Sequence, residues 1–112
     1  SHMIISGGVN IYPQEVENEL ALHPKVADVA VIGVPNADLG EEVKAVVIAA
    51  DPAEAGADLG TELIAYCRSR LAHYKCPTSI QFRDELARTA TGKLQKFKLR
   101  APFWEGREKQ VG

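Results

Sequence analysis

Two apolar, β-branched segments flank a turn in residues 26–50, which read VADVAVIGVPNADLGEEVKAVVIAA. The pattern predicts one strand from Ala27 to Val34, a turn over Pro35–Gly40 and a second strand from Glu42 to Ala50. Because the connection is short, we expect the two strands to pair antiparallel. The continuous apolar end of the second strand predicts that both faces of the sheet are buried near its middle.

Shorter elements surround this pair of strands. A Gly-Gly pair at the centre of residues 4–12 predicts a small hairpin, and Asp58 is the predicted N-cap of the second helix. A helix is predicted from Pro13 that stops before Pro24, followed after the two strands by a loop over Asp51–Gly60. The next helix has a stripe of Leu63, Cys67 and Leu71 and is predicted to end near His73. The remaining predictions are a strand over Ser79–Arg83, a loop over Thr89–Gly92 and a helix from Leu94 to Arg100 that Pro102 ends. This order predicts an α+β fold, with a small mixed sheet of about three core strands plus the hairpin, packed with about three helices.

Length and composition limit the class of protein. A chain of 112 residues, 46% hydrophobic and 25% charged, has room for one domain with one modest core. The longest apolar run, Ala45–Ala50, is far shorter than the roughly 20 residues of a membrane span. Cys67 and Cys76 lack the spacing of a zinc site or a disulfide framework, so we expect buried, reduced thiols in a cytoplasmic protein without a metal site.

The first residues suggest where the natural chain begins. Ser1-His2-Met3 is typical of a tag or cloning remnant, and whether Met3 is native is left open. A structured pattern starts at once at Ile4. We therefore expect residues 4–112 to form a domain cut from a longer protein.

Charge divides the chain into an acidic and a basic half. Residues 1–62 hold eleven acidic and two basic residues, whereas residues 63–112 hold eleven basic and four acidic ones. The basic half would suit an anion or an acidic partner. It has no nucleic-acid-binding motif and no interleaved aromatic residues, so we do not expect nucleic acid to be the partner.

The sequence does not have the motifs expected of a self-contained enzyme. The chain has no GxSxG or HExxH motif, and His2, His23 and His73 are scattered. Two loops are better candidates for a functional site. Ser6-Gly7-Gly8 lets a ligand approach the backbone, and Thr89–Lys93 carries an ammonium group that can neutralise charge on a phosphate or a carboxylate.

Four motifs, which include these two loops, occur along the chain in the order found in a known family. They are ISGGVNIYPQEVE from Ile5, GVPNADLGEEVKAVV from Gly33, LAHYKCPTSIQF from Leu71 and LARTATGKLQKFKLR from Leu86. Together they resemble the C-terminal domain of AMP-forming acyl-CoA synthetases, over essentially the whole chain from Ile4 to Arg100. The tail, PFWEGREKQVG, is most similar to bacterial fatty-acid–CoA ligases.

The resemblance implies a two-step reaction in a larger enzyme. A carboxylate, expected to be a fatty or other hydrophobic acid, attacks the α-phosphate of Mg-ATP and releases pyrophosphate. The thiol of coenzyme A then displaces AMP from the acyl-adenylate. In such enzymes an N-terminal domain binds ATP and the acyl group and the C-terminal domain is a mobile lid. The isolated lid is therefore expected to be inactive, and the acyl chain length, the oligomeric state and any peripheral membrane association of the longer protein are left open.

The resemblance also assigns roles to individual residues. Lys93 matches the adenylation lysine, which reaches the α-phosphate in the first step, and Gly92 lets its loop bend closely. Gly7 and Gly8 match the segment that lines the pantetheine tunnel in the second step. The same likeness places Tyr74 near the adenine of coenzyme A and Lys75 near its phosphates.

Some positions depart from the family pattern, and other readings stay open. Ala87 stands where a proline is usual, and Cys76 and Thr78 stand where some members have Arg or Lys. These departures put further phosphate contacts at those two positions in doubt. One alternative is the equivalent domain of an amino-acid adenylation module or a luciferase-like enzyme. Another is a self-standing α+β module that binds an anion.

Overall fold

The elements of the chain alternate between short strands and helices. A computed structural model describes residues 3–107, so the predicted tag residues Ser1 and His2 and the predicted domain's residues 108–112 lie outside the described range. In chain order the elements are β1 (Ile4–Ser6), β2 (Val9–Ile11), α1 (Pro13–Ala21), β3 (Val26–Asn36), β4 (Gly40–Ala49), α2 (Ala57–Arg68), β5 (Ser79–Phe82) and α3 (Lys96–Trp104), with 3-10 turns at Pro52–Glu54 and His73–Lys75.

Strand β4 organises the sheet. Along one edge it pairs antiparallel with β3, in a register that runs from Val26↔Ala49 to Asn36↔Gly40. On its other side it pairs parallel with β5, and antiparallel with β1 at Ser6↔Gly40. β1 and β2 form the predicted hairpin. The five-stranded mixed sheet confirms the predicted α+β fold and the antiparallel pairing of the two long strands.

Both faces of the β3–β4 pair are buried, as the apolar run of β4 predicts. Helices α1 and α2 cover one face and α3 covers the other. The larger core includes Ile4, Ile11, Val16, Leu20, Val29, Val31, Val47, Leu63, Cys67 and Cys76, and the smaller core includes Ala30, Ile32, Val34, Val46, Leu86 and Leu99. Alternate residues of β3 enter different cores because side chains of a strand point to opposite faces in turn.

The outer edge of β3 is closed by side chains of both flanking helices. Glu17 of α1 accepts a hydrogen bond from the Val31 amide at 2.8 Å, and the Trp104 indole of α3 donates one to the Gly33 carbonyl at 2.8 Å. The Lys96 ammonium lies 2.6 Å from the same Glu17 carboxylate, so α1 and α3 meet across this edge. These bonds satisfy backbone groups that an open strand edge would leave unpaired.

Four helix boundaries differ from the sequence prediction, namely both ends of α2 and both ends of α3. Helix α2 begins after Gly56, so Asp58 lies in its first turn and is not the N-cap. The helix ends at Arg68 rather than near His73, with Ser69 as its C-cap, and the Ser69 hydroxyl donates to the Tyr66 carbonyl. Leu94 pairs with Arg88 in a β-bridge, so α3 starts only at Lys96.

Helix α3 also continues through Pro102 to Trp104, where the sequence predicted its end. Proline has no amide to donate to the carbonyl of Lys98, but both residues are exposed and water can satisfy that carbonyl. Within residues 3–107, no helix has the length and apolar character to cross a membrane.

Candidate functional site

Lys93 follows a tightly closed turn rather than a loose loop. The Thr89 amide donates to the Lys93 carbonyl at 2.8 Å, and the Gly92 amide donates to the Thr89 carbonyl at 2.9 Å. Gly92 has a φ of +88°, the left-handed conformation that three-residue hairpin loops place after their turn. This left-handed position, which reverses the chain just before the lysine, favours glycine.

The Lys93 side chain is exposed at the base of this hairpin. Nearby hydroxyl groups are used within the turn: the Thr89 Oγ1 accepts from the Lys93 amide at 3.0 Å and lies 3.0 Å from the Thr91 Oγ1. In the described part of the chain no carboxylate forms an ion pair with the Lys93 ammonium. Lys93 thus presents a positive charge to solvent from a hydrogen-bonded backbone.

Gly7 and Gly8 form the tip of the β1–β2 hairpin. Their φ angles of +56° and +80° are those of a two-residue turn with both central residues left-handed. The Gly7 amide donates to the Leu39 carbonyl at 2.8 Å, which fixes the tip against the β3–β4 turn. A Cβ on Gly8 would meet nothing within 4 Å, so the open side of the tip faces solvent and can be approached by a ligand.

Tyr74 and Lys75 lie together in the 3-10 turn at residues 73–75. Tyr74 is 54% exposed, and the Lys75 ammonium lies 5.7 Å from the centroid of its ring. The Lys75 ammonium also donates to the Glu15 carboxylate at 3.0 Å, and this hydrogen bond raises the pKa of Lys75 above its ordinary value. Lys75 is therefore charged but already paired, so a phosphate would compete with Glu15 for it.

Two of the three positions that depart from the family pattern differ in exposure, since Cys76 is buried and Thr78 is exposed. The Cys76 thiol is buried and points at the carbonyl of Ala72, 3.5 Å away. The Thr78 hydroxyl donates to the Glu42 carboxylate. Both side chains have partners within the domain, which agrees with the doubt about phosphate contacts at these positions.

The structure does not bring the candidate residues into one cluster. The hairpin that ends in Lys93 is tied to Asp28, near the start of β3, whereas the Gly7–Gly8 tip is tied to Leu39, just beyond the end of β3. Eight residues of strand separate Asp28 from Asn36, a span of about 26 Å. The lysine and the glycine pair therefore lie at opposite ends of the β3–β4 pair.

Two cavities of the described residues lie away from the candidate site residues. One, of about 460 Å³, lies at the ends of β4 and β5 and is lined by Phe82, Arg83 and Asp84 among others. A second, of about 400 Å³, shares Phe82 and runs along α2. Neither of these two cavities is lined by a candidate site residue.

Sequence reasoning missed the residues that hold these groups in place. Arg88 contacts the lysine hairpin, and Glu15 neutralises Lys75. Both carry ordinary surface charges in the sequence, and their partners are about sixty positions away. The only sequence signal was the position of Arg88 inside the LARTATGK motif.

Comparison with known proteins gives the class of this domain. The family model described as the AMP-binding enzyme C-terminal domain matches residues 15–93, which include the hairpin up to Lys93. The chain belongs to this family. This confirms the resemblance that the four motifs indicated.

Its individual relatives are acyl-CoA synthetases and ligases. The chain is 52% identical over 101 residues to a feruloyl-CoA synthase of an Amycolatopsis species, covering 90% of this chain and 20% of that protein. It is 46% identical over 97 residues to a long-chain-fatty-acid–CoA ligase of Bacillus subtilis, covering 87% of this chain and 17% of that protein. The chain thus spans one fifth or less of these relatives.

Solved structures agree with the sequence relatives. The crystal structure of a Brucella canis acyl-CoA synthetase matches with a TM-score of 0.88 and 39% identity, over 98% of this chain and 20% of that one. ATP-bound MatB from Rhodopseudomonas palustris matches with a TM-score of 0.82 and 38% identity, over 92% of this chain and 20% of that one.

Proposed function

We propose that this chain is the mobile C-terminal domain of an ATP-dependent, AMP-forming acyl-CoA ligase, in which a larger N-terminal domain binds ATP and the acyl group. The observation that carries the proposal is Lys93, an exposed ammonium on a closed hairpin, at the end of the stretch that matches the family. Residues 4–112 form this domain. On its own it lacks the N-terminal domain that binds ATP and the acyl group, and it is inactive.

In the first step, a carboxylate oxygen of the substrate attacks the α-phosphorus of Mg-ATP, and the bond to pyrophosphate breaks. Negative charge grows on the phosphoryl oxygens during this transfer. The Lys93 ammonium stabilises that charge, and a positioned donor of this kind contributes on the order of 3 kcal/mol in a site that excludes water. Gly92 supplies the chain reversal that carries Lys93 outward.

In the second step, the sulfur of coenzyme A attacks the acyl carbonyl, and AMP leaves with the electrons of its bond to the carbonyl carbon. The open side of the Gly7–Gly8 tip lines the path of the pantetheine arm, where a side chain would obstruct the thiol. Tyr74 is exposed enough to stack on the adenine. Lys75 is the weaker contact, since a phosphate has to displace Glu15.

A rotation of the domain between the two steps follows from the distance between the two groups. Lys93 and the glycine tip lie at opposite ends of the β3–β4 pair, so one orientation of the domain cannot place both at the same reacting centre. The face that carries Lys93 is turned to the reacting centre in the first step, and the face that carries the glycine tip is turned to it in the second. Each face leaves the centre when the other enters.

The acyl substrate is a hydrophobic carboxylic acid, for which we favour a fatty acid. The relatives named above carry both aromatic and aliphatic acids in their names, at 52% and 46% identity to this chain. This domain is thus shared across acyl classes, and the N-terminal domain selects the acid. Cys67 and Cys76 are free thiols, which supports a reducing cytoplasmic compartment.

The two half-reactions test the proposal separately in the full synthetase that carries this chain. Pyrophosphate release is measured with a panel of carboxylic acids in the absence of coenzyme A, and thioester formation is measured from supplied acyl-adenylate. Lys93→Ala should lower the first rate at least about a hundredfold and leave the second within about twofold. Lys98→Ala, an exposed lysine of α3, is the matched control. If Lys93→Ala behaves like wild type in the first half-reaction, the assigned role of Lys93 is wrong.

The glycine tip has its own matched pair of variants. Gly8→Asn adds a side chain with little backbone strain, since Asn tolerates the left-handed conformation. It should lower thioester formation about tenfold or more and spare pyrophosphate release. Gly106→Asn, at a similar φ of +78° and equally open, should change neither rate. Equal losses in both half-reactions for Gly8→Asn would contradict a tunnel role.

A further inference from the structure

We infer that Arg88 is a positioning residue for Lys93, because it ties the peptide unit between Gly92 and Lys93 to strand β3. The kinetic part of this inference rests on the proposed function of Lys93. The structural part concerns only the hairpin and is tested on the chain alone.

The guanidinium group of Arg88 makes two contacts with different nitrogens. Its Nη1 donates to the Gly92 carbonyl at 2.9 Å, and its Nη2 forms an ion pair with the Asp28 carboxylate. Arginine presents its donors in a rigid planar fork, so one side chain can hold two acceptors in a fixed relation. Arg88 therefore connects the end of the turn to the start of β3.

Asp28 is itself fixed. Its Oδ1 accepts a hydrogen bond from the Val29 amide at 2.9 Å, while its Oδ2 faces Arg88. Val29 belongs to β3 and is buried in the larger core. The anchor of Arg88 is thus part of the sheet rather than a freely moving surface carboxylate.

The contact acts on the peptide unit next to Lys93. The carbonyl of Gly92 and the amide of Lys93 belong to the same planar unit. Arg88 holds the carbonyl, and the Thr89 Oγ1 holds the amide at 3.0 Å. When both ends are held, the direction in which the Lys93 side chain leaves the backbone is set.

No core packing replaces this contact. Leu86 is buried before the turn, and Leu94 packs against the smaller core after it, but the residues from Ala90 to Lys93 are exposed. Gly92 has no side chain to pack and the widest choice of backbone conformations. Without Arg88, the turn is restrained only by its own backbone hydrogen bonds and by the Thr89 hydroxyl, and Lys93 samples more directions.

The first arm of the test uses the 112-residue chain. Arg88→Met removes both contacts and keeps most of the side-chain length. Arg70→Met is the control: it removes a partly exposed pair with Glu19 at 3.7 Å and a cation–π contact with Tyr66. Arg88→Met should speed amide hydrogen exchange at Lys93 about tenfold and lower its heteronuclear NOE, with the amides of β3 and β4 unchanged. Arg70→Met should change neither. Unchanged exchange and NOE in Arg88→Met would overturn the inference.

The second arm uses the full synthetase. Arg88→Met should lower kcat for pyrophosphate release about tenfold, leave KM for ATP unchanged and leave thioester formation unchanged. Arg88→Lys keeps the pair with Asp28 but not the fork, so it should recover part of the rate. In a Lys93→Ala background Arg88→Met should cost nothing more, because it acts through the lysine. Additive losses would show that Arg88 acts independently and would overturn the inference.

The outcomes separate this inference from the proposed function. If Lys93→Ala has no effect, the proposed function fails, and the exchange measurement alone decides whether Arg88 orders the hairpin. If Lys93→Ala is inactive and Arg88→Met keeps full activity, the positioning role fails while the proposed function stands. Asp28→Asn provides a milder variant should Arg88→Met unfold, and it is expected to shift the same two readouts in the same direction.

Discussion

Gly7 and Gly8 share one turn but meet different surroundings. A Cβ on Gly7 would lie 3.1 Å from the Leu39 Cδ2, whereas a Cβ on Gly8 would lie in open space. Both residues have positive φ. At Gly8 the loss of stability on substitution therefore comes from the backbone conformation alone. At Gly7 a steric clash with Leu39 adds to it, so comparing the two positions separates the two effects.

Substitutions at Gly8 should follow left-handed propensity. Gly8→Val should lower the free energy of unfolding by about 1–2 kcal/mol, since a β-branched residue resists this conformation. Gly8→Asn should lower it by less than about 1 kcal/mol. Urea unfolding can be followed through Trp104, which is the single tryptophan of the sequence. Equal losses for Val and Asn would mean that the turn does not require a left-handed residue.

Individual residues also show what the sequence could predict. The GlyGly pair predicted the hairpin because few other residues tolerate its backbone angles, and the apolar run predicted two-sided burial. Lys75 is different, because its partner Glu15 is sixty positions away and only the fold brings the two together. Asp58 failed as an N-cap because Gly56, two residues earlier, is the N-cap and the helix already begins at Ala57. Local preferences were readable, and long-range pairings were not.

At the scale of elements, Glu42 links three segments. Its carboxylate accepts hydrogen bonds from the Thr78 hydroxyl, just before β5, and from the Asn36 amide at the end of β3. These two bonds, the Thr78 bond most of all, hold the pKa of Glu42 below its ordinary value of 4.5. A lowered pKa in the folded state means that the ionised carboxylate stabilises the fold above pH 4.5 and that this contribution is lost as the pH falls further.

Thr78→Val should therefore change how stability depends on pH. At pH 7 the variant should be less stable by about 1 kcal/mol, because a hydrogen bond to a charged group is lost. The difference in the free energy of unfolding between wild type and variant should narrow as the pH falls below 4.5, the ordinary pKa of a glutamate, because Glu42 then becomes protonated in both proteins. Urea midpoints between pH 7 and pH 3 measure this. Thr61→Val is the control, since the Thr61 hydroxyl donates to the Ala57 carbonyl and should give a gap independent of pH. A constant gap for Thr78→Val would contradict the role of Glu42.

Over the whole molecule, the fold depends on pairings that the sequence only partly indicates. The antiparallel β3–β4 pair was predicted, since a short turn joins two apolar strands. The parallel partner β5 arrives about thirty residues after β4, and α2 packs over the same face of the sheet before it. The alternating pattern of β5 predicts a strand but not its neighbour, because its direction follows from how the intervening helix packs.

The larger core joins almost every element, and its two thiols can report how it opens. Cys67 is fully buried and Cys76 is 5% exposed, in a core shared by β1, β2, α1, β3, β4 and α2. Burial raises the pKa of the Cys67 thiol to about 12 and also raises the pKa of Cys76. Both thiols are therefore protonated and shielded at pH 8, and the thiolate that reacts with a disulfide reagent is scarce.

Thiol labelling with a chromogenic aromatic disulfide should thus require opening of the fold. At pH 8 each native thiol should react at least about a hundredfold more slowly than in urea. Cys76 follows a 3-10 turn outside the sheet, so it should react faster than Cys67, which lies inside α2. Labelling rates of Cys67→Ala and Cys76→Ala assign the two sites. If Cys67 reacts as fast in the native chain as in urea, the core does not close over α2. If Cys67 and Cys76 react at one slow rate, the turn at residues 73–75 opens only together with the whole core.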